Sequence, residues 1–296
     1  MSLELSHIRK VKKPFPFRRF FITLFSMTLV SQSVLGLYQA ELARESIRES
    51  TWEACAFSQR DPFKSTPNED ACMVIPCGDD SVVLAVADGC GGMRGGAQAS
   101  QLALQCLEQS VKESVGKAGI VRSSILDGID RANEEIQSLK LGAACTIAVV
   151  EIHQGVMRPY HVGDSVILVT TNRGRVRYES LCHSPIGYAV ESGLLAVEHA
   201  IHHEDRHLIS NYVGSPDMRI EIGPALQLLK SDRILIASDG LFDNLSSNEI
   251  VERLRKGQLS ESVEQLTELA TQRMNTPHVS APSKPDDLTL VAFRNR

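Results

Sequence analysis

Apolar runs at residues 71–75 and 81–86 flank the turn-like Gly78-Asp79-Asp80 and predict a pair of strands. Two helices follow. In the second, Ile125, Ile129, Ala132, Ile136 and Leu139 recur at spacings of four, three, four and three. That spacing puts them on one helix face, which belongs against a sheet. A block of strands is predicted next, at residues 144–152, 157–161, 166–170 and 175–180, with Asn172-Arg173-Gly174 turning between the last two. Several are continuously apolar, as strands covered on both faces are. A further strand at 233–238 precedes two helices. The first opens with Ser246-x-x-Glu249, a pair that bonds reciprocally to otherwise orphaned backbone N–H groups as a capping box. A last strand is predicted at 288–293. Strand blocks interleaved with helix pairs predict a layered α+β fold, helices outside packed sheets, forming one domain over residues 49–296.

Residues 1–48 read differently, as a basic extension with a hydrophobic segment. Arg9, Lys10, Lys12, Lys13, Arg18 and Arg19 face only Glu4, and an uncharged run follows at 20–40. The run suits a membrane-spanning helix or a signal-peptide core in length. Its Thr23, Ser26, Thr28, Ser31, Gln32 and Ser33 weaken the spanning reading, and no small-x-small cleavage site follows. A membrane tether, a signal, an organelle presequence and an upstream-extended start remain open, all outside the fold.

Composition narrows the class. With 43% hydrophobic and 23% charged residues the chain is neither a multi-pass membrane protein nor disordered. The net charge of -5 hides an acidic body, since 25 basic and 35 acidic residues remain beyond residue 19. That body disfavours a nucleic-acid partner. The seven cysteines form no C-x-x-C pair, so no zinc ribbon or thioredoxin-type site is indicated. They read as free thiols, hence a reducing compartment and a cytoplasmic catalytic domain. A monomer is expected.

The chemistry lies in the carboxylates. Two apolar strands end alike, Leu84-Ala-Val-Ala-Asp88-Gly89 and Ile234-Leu-Ile-Ala-Ser-Asp239-Gly240, and Asp286-Asp287 stands at the entrance of the last strand. A rigid strand fixes each carboxylate, and the glycine admits close backbone or water approach. Carboxylates converging from three sheet positions would make an oxygen-only, anionic site suited to Mg²⁺ or Mn²⁺. A lone Asp-Gly more often marks a turn; two such strand ends and a third acidic pair shift the balance. Gly91-Gly92-x-x-Gly95-Gly96, at the start of the first helix, is by itself weak evidence of phosphate binding.

Together the motifs resemble the PPM family of metal-dependent protein phosphatases, the 2C type, with a bacterial-like glycine run. In order they are Asn68-Glu-Asp-Ala71, Val86-Ala-Asp-Gly-Cys-Gly-Gly92, Gly142-Ala-Ala-Cys-Thr146, His161-Val-Gly-Asp-Ser165, Ile236-Ala-Ser-Asp-Gly-Leu-Phe-Asp243 and Pro285-Asp-Asp-Leu-Thr289, and the resemblance runs from about residue 58 to the C-terminus. It implies a four-layered α-β-β-α sandwich. It also implies hydrolysis of phosphoserine or phosphothreonine in a protein substrate, by water activated between two Mn²⁺ or Mg²⁺ ions and without a covalent phosphoenzyme. On this resemblance Asp88 bridges the two metals, Gly89 adds its carbonyl, and Asp239 and Asp286 complete the sites. Asp70 holds metal-bound water, and Asp164 is a ligand for a third metal seen in some members. Two departures stand out: Cys90 replaces a frequent His, and Ser65 stands where a phosphate-gripping Arg is expected, leaving Lys64 or Arg60 for that role. His202-His203-Glu204-Asp205-Arg206-His207 lacks the HExxH spacing and reads as a solvated loop in the family's variable flap. The competing readings are a non-enzymatic regulatory module of the same fold, which the intact Asp88, Asp239 and Asp286 oppose, and a phosphatase that resets a bacterial partner-switching regulator.

Overall fold

The computed structural model describes residues 34–78, 80–90, 95–114, 121–200, 203–277 and 281–296. In chain order the elements are β1 (Leu35–Tyr38), β2 (Leu42–Arg48), β3 (Trp52–Gln59), β4 (Asp70–Gly78), β5 (Ser81–Asp88), α1 (Gly96–Ser114) and α2 (Val121–Ser138). There follow β6 (Ile147–His153), β7 (Val156–Val162), β8 (Val166–Thr170), β9 (Val176–Glu179), α3 (Pro185–Glu191) and α4 (Val197–Ala200). The chain ends with β10 (Glu221–Ile222), β11 (Leu226–Gln227), β12 (Arg233–Ala237), α5 (Asp239–Phe242), α6 (Ser247–Leu254), α7 (Leu259–Asn275) and β13 (Leu288–Asn295).

Two antiparallel sheets result, ordered β1-β4-β5-β6-β7-β10, with β11 also on β7, and β2-β3-β13-β12-β8-β9. The continuous apolar runs are strands covered on both faces. Along β4 and β5, Ala71, Met73, Ile75, Val83, Ala85 and Ala87 pack against α1 and α2, whereas Cys72, Val74, Val82, Leu84 and Val86 pack against the other sheet. The period of two thus divides an all-apolar run between two cores. The helix face read from sequence is in place, with Ile125, Ile129, Ala132 and Ile136 buried and Leu139 packed at its edge. On the far side α5, α6 and α7 cover the second sheet. The layers are therefore α-β-β-α. The Ser246–Glu249 capping box is formed in both directions.

The expected domain boundary at 49 is moved. β1 pairs with β4, Leu35 opposite Val74, and β2 pairs with β3, Ile47 opposite Ala54, so both sheets begin before residue 49. The end of the apolar run at 20–40 is therefore sheet. Its outcome as a single helix to residue 40 is excluded, and the remainder falls outside the described residues, as do residues 1–19, Gly91 and Gly92. No described helix is long and apolar enough to cross a membrane. β3 was not foreseen, because Glu53 interrupts its pattern. Glu53 is nevertheless buried, paired with Arg48 at 3.0 Å and Arg294 at 2.6 Å. The segment expected to be a solvated loop holds a 3-10 turn at Glu204–His207, where the His203 ring accepts from the Asp205 N–H.

Candidate metal centre

β4 and β5 run antiparallel with Asp70 directly opposite Asp88. β12 brings Asp239 to the same end of the sandwich, and the start of β13 brings Asp286 beside it. Close packing holds these ends together: a Cβ on Gly240 would collide with the Asp287 carbonyl, and one on Gly89 with the backbone of Gly96. Glycine is required at both strand exits by space rather than by backbone torsion.

Electrostatics confirms that the carboxylates converge. Burial, and then the charges of Asp70, Asp239, Asp286 and Asp164, push the Asp88 carboxyl well above its ordinary range. Asp70 is raised likewise, by burial and then by Asp287, partly offset by the Ser238 hydroxyl, which donates to Oδ2 at 2.8 Å. Asp164 is pushed up to about 7 by burial and then by Asp239, and Asp286 to about 7 by the same two causes. So many buried and half-buried carboxylates crowd together that they resist ionising at once. An oxygen-only set in this state fits hard divalent cations, which would supply the missing positive charge.

One cation of the chain itself is already there. Lys284 Nζ lies 2.7 Å from Asp239, 2.8 Å from Asp243 and 3.1 Å from Asp286. Burial alone would lower its ammonium, but these three carboxylates outweigh it and hold Lys284 charged. Sequence reading missed Lys284 and Asp243; the signal was a lysine two positions before a ligand Asp. It also missed Ser238, which accepts from the Thr289 N–H while donating to Asp70. Asp287 is a structural carboxylate, accepting from the backbone N–H groups of Asp61 and Glu69 at 2.8 and 2.7 Å and from Lys64 at 2.8 Å.

The two cations named for substrate phosphate both have carboxylate partners. Lys64 spans Glu69, at 2.5 Å, and Asp287, and Arg60 faces Glu41 at 3.5 Å. All seven cysteines are free thiols. Burial and then Asp164 push the Cys90 thiol up to about 12, so it is protonated and a poor nucleophile at neutral pH. A cleft of about 790 Å³ opens from Asp164 and Asp239 and is walled by Ile186, Val190, Ile222 and Phe242.

A second polar cluster flanks the Gly163-Asp164 turn. His161, His183 and Glu221 offer ligand-type atoms within 4.8 Å of one another. His183 Nδ1 accepts from the Gly163 N–H at 3.1 Å and from Asn211 Nδ2 at 2.9 Å, which places the His183 proton on Nε2, facing Glu221 at 3.0 Å. His161 donates from Nε2 to the Leu181 carbonyl, leaving its buried Nδ1 bare. The two rings stack at 4.4 Å and 22°, so their in-plane lone pairs do not meet at one ion. This cluster is a hydrogen-bonded clamp.

Comparison with known proteins agrees with the geometry. The family model for protein phosphatase 2C matches residues 63–280. The serine/threonine phosphatase stp of Listeria monocytogenes is 27% identical over 207 residues, covering 67% of this chain and 81% of that protein. The crystal structure of the Mycobacterium tuberculosis serine/threonine phosphatase PstP/Ppp superposes with a TM-score of 0.69 at 25% identity, covering 82% of this chain and 98% of that one. The PstP catalytic domain in complex with two manganese ions superposes with a TM-score of 0.66 at 23% identity, covering 83% and 98%.

Proposed function

The chain belongs to the protein phosphatase 2C family of metal-dependent serine/threonine protein phosphatases, and from that premise we propose how its own residues perform the hydrolysis. Asp88, the Gly89 carbonyl, Asp239 and Asp286 hold two divalent ions, Mn²⁺ or Mg²⁺, and Asp164 serves a third. When bound, the ions supply an acidified water and offset charge on the phosphoryl oxygens. The observation that carries this reading is the convergence of Asp70, Asp88, Asp164 and Asp286, whose carboxyl pKa values are raised, with Asp239 among them.

Asp70 keeps one oxygen on Ser238 and offers the other as the acceptor that orients the attacking water. The cleft below α3 takes the phosphorylated residue and its flanking chain, with the phosphorus in line between that water and the leaving serine or threonine oxygen. Asp239 stands both in this cleft wall and in the carboxylate set, so substrate and ions meet at one edge. The protonated Cys90 takes no covalent step, in keeping with direct attack by water. The working unit is a monomer.

The full chain with Mn²⁺ is expected to hydrolyse phosphoserine and phosphothreonine peptides, to lose activity in EDTA and to recover it on Mn²⁺ addition. A folded, Mn²⁺-binding chain inactive on a broad phosphopeptide set would instead support the regulatory-module reading.

A further inference from the structure

Lys284 is held at the carboxylate centre by its backbone as well as its charge. Asn244, fully buried, accepts the Lys284 N–H at 2.9 Å and donates to its carbonyl at 2.8 Å, and also donates to the Gly240 carbonyl at 2.9 Å. Arg273 in turn donates to the Asn244 carbonyl at 2.6 Å and pairs with Glu249 of the capping box. The segment that leads into Asp286 is thereby clamped to the one-turn helix that begins at Asp239. From that clamp the Lys284 stem reaches inward, and its ammonium touches Asp239, Asp243 and Asp286 at once.

Asp239 and Asp286 are the same two carboxylates assigned above to the divalent ions, and this inference rests on that assignment. An ammonium within 3.1 Å of both occupies oxygens that an ion would need. An ammonium and a divalent ion cannot share them closely, because like charges a few ångströms apart in a partly buried site repel strongly. The lysine has a flexible four-carbon stem, so the ammonium has somewhere to go. Its outward path is the cleft that Asp239 and Asp243 line.

We propose that Lys284 is a tethered competitor for one divalent-ion position: its ammonium neutralises the metal-free centre, and binding of the ion expels it into the cleft. The lysine thus stabilises the empty protein and weakens its hold on metal. The same exchange raises the free ion concentration needed to fill that position.

The test uses the full chain, with Mn²⁺ as the probe. Calorimetry and the electron paramagnetic resonance signal of free Mn²⁺ give affinities for the wild type, Lys284→Met and Lys284→Arg. Lys284→Met is expected to bind Mn²⁺ at least about tenfold more tightly and to melt at a lower temperature when metal-free, while Lys284→Arg, still cationic, keeps weak binding. In the wild type, acetylation of Lys284 by an amine-reactive ester, read by mass spectrometry, should be slow without metal and rise several-fold with Mn²⁺. Unchanged or weaker Mn²⁺ affinity in Lys284→Met overturns the proposal. If that variant does not fold, equal Lys284 labelling with and without Mn²⁺ overturns it. Asp239→Asn separates the two levels: wild-type Mn²⁺ binding in that variant would remove the metal-site assignment itself, whereas lost binding there beside an unaltered Lys284→Met would remove only the competition.

Discussion

Two polar clusters lie against the Gly163-Asp164 turn, and they differ in charge more than in depth. One gathers Asp70, Asp88, Asp164, Asp239 and Asp286, with the Lys284 ammonium on Asp239 and Asp286, and the carboxyl pKa values of Asp70, Asp88, Asp164 and Asp286 are pushed upward. The other stacks His161 on His183 and closes its hydrogen bonds through Gly163, Asn211, Leu181 and Glu221. Histidine is the commoner metal ligand by reputation, yet here His183 spends both ring nitrogens on Gly163, Asn211 and Glu221, and the stacked His161 gives its proton to a backbone carbonyl. The lesson is that demand for a cation is read from unbalanced charge, and not from residue type.

The comparison breaks most sharply on activity. Asp88→Asn or Asp239→Asn is expected to lower Mn²⁺-dependent kcat by at least about a thousandfold, roughly 4 kcal/mol of barrier, whereas His161→Gln should stay within about threefold. Steady-state kinetics on one phosphopeptide measures both, and comparable losses would erase the distinction.

Stability against pH separates the clusters next. Asp164 and Asp286 have folded values of about 7 against an ordinary 3.8, so the folded state binds more protons than the unfolded chain between those values. Their stabilisation is complete below 3.8 and is lost as pH rises through about 7. The metal-free melting temperature should therefore fall between about pH 5 and pH 8, and saturating Mn²⁺ should remove the fall. A melting temperature that rises over this range without metal would contradict the crowding of carboxylates.

The clamp itself gives a smaller effect. His183→Ala strands the Gly163 N–H and the Asn211 amide and should cost about 1–3 kcal/mol in chemical denaturation, with Mn²⁺ affinity unaltered at the tight positions. Smallest is Lys64→Met. Because Lys64 bonds Glu69 and Asp287 rather than facing the cleft, KM for a phosphopeptide should stay within about twofold, and a tenfold rise would restore Lys64 as a phosphate contact.

Much of this was legible before any coordinates, for physical reasons that vary by element. β4 and β5 announce themselves as unbroken apolar runs on either side of a turn, and α2 by the strict helical period of its buried face. The strand-end aspartates are legible because a carboxylate after an apolar run has few cheap explanations. β3 and β2 were not, since the charge of Glu53 breaks the pattern and the Arg294 that satisfies it is distant in sequence. β1 was hidden for the opposite reason, being the tail of an apolar run that looked like a membrane segment. Lys284, Asp243 and Ser238 stand close in sequence to the ligand aspartates, but their roles rest on contacts across the fold that spacing does not reveal. The same holds for Lys64, whose adjacency to the acidic motif suggested phosphate where the fold pairs it with Asp287.

The central claim is that the carboxylate centre, and not the histidine clamp, holds the divalent ions. Equilibrium dialysis of the full chain against Mn²⁺ tests it most directly, comparing the wild type with Asp239→Asn and His161→Gln. The account predicts two bound ions per chain at saturating Mn²⁺ in the wild type and in His161→Gln, and loss of that binding in Asp239→Asn. Such binding kept by Asp239→Asn, or lost from a folded His161→Gln, would contradict it.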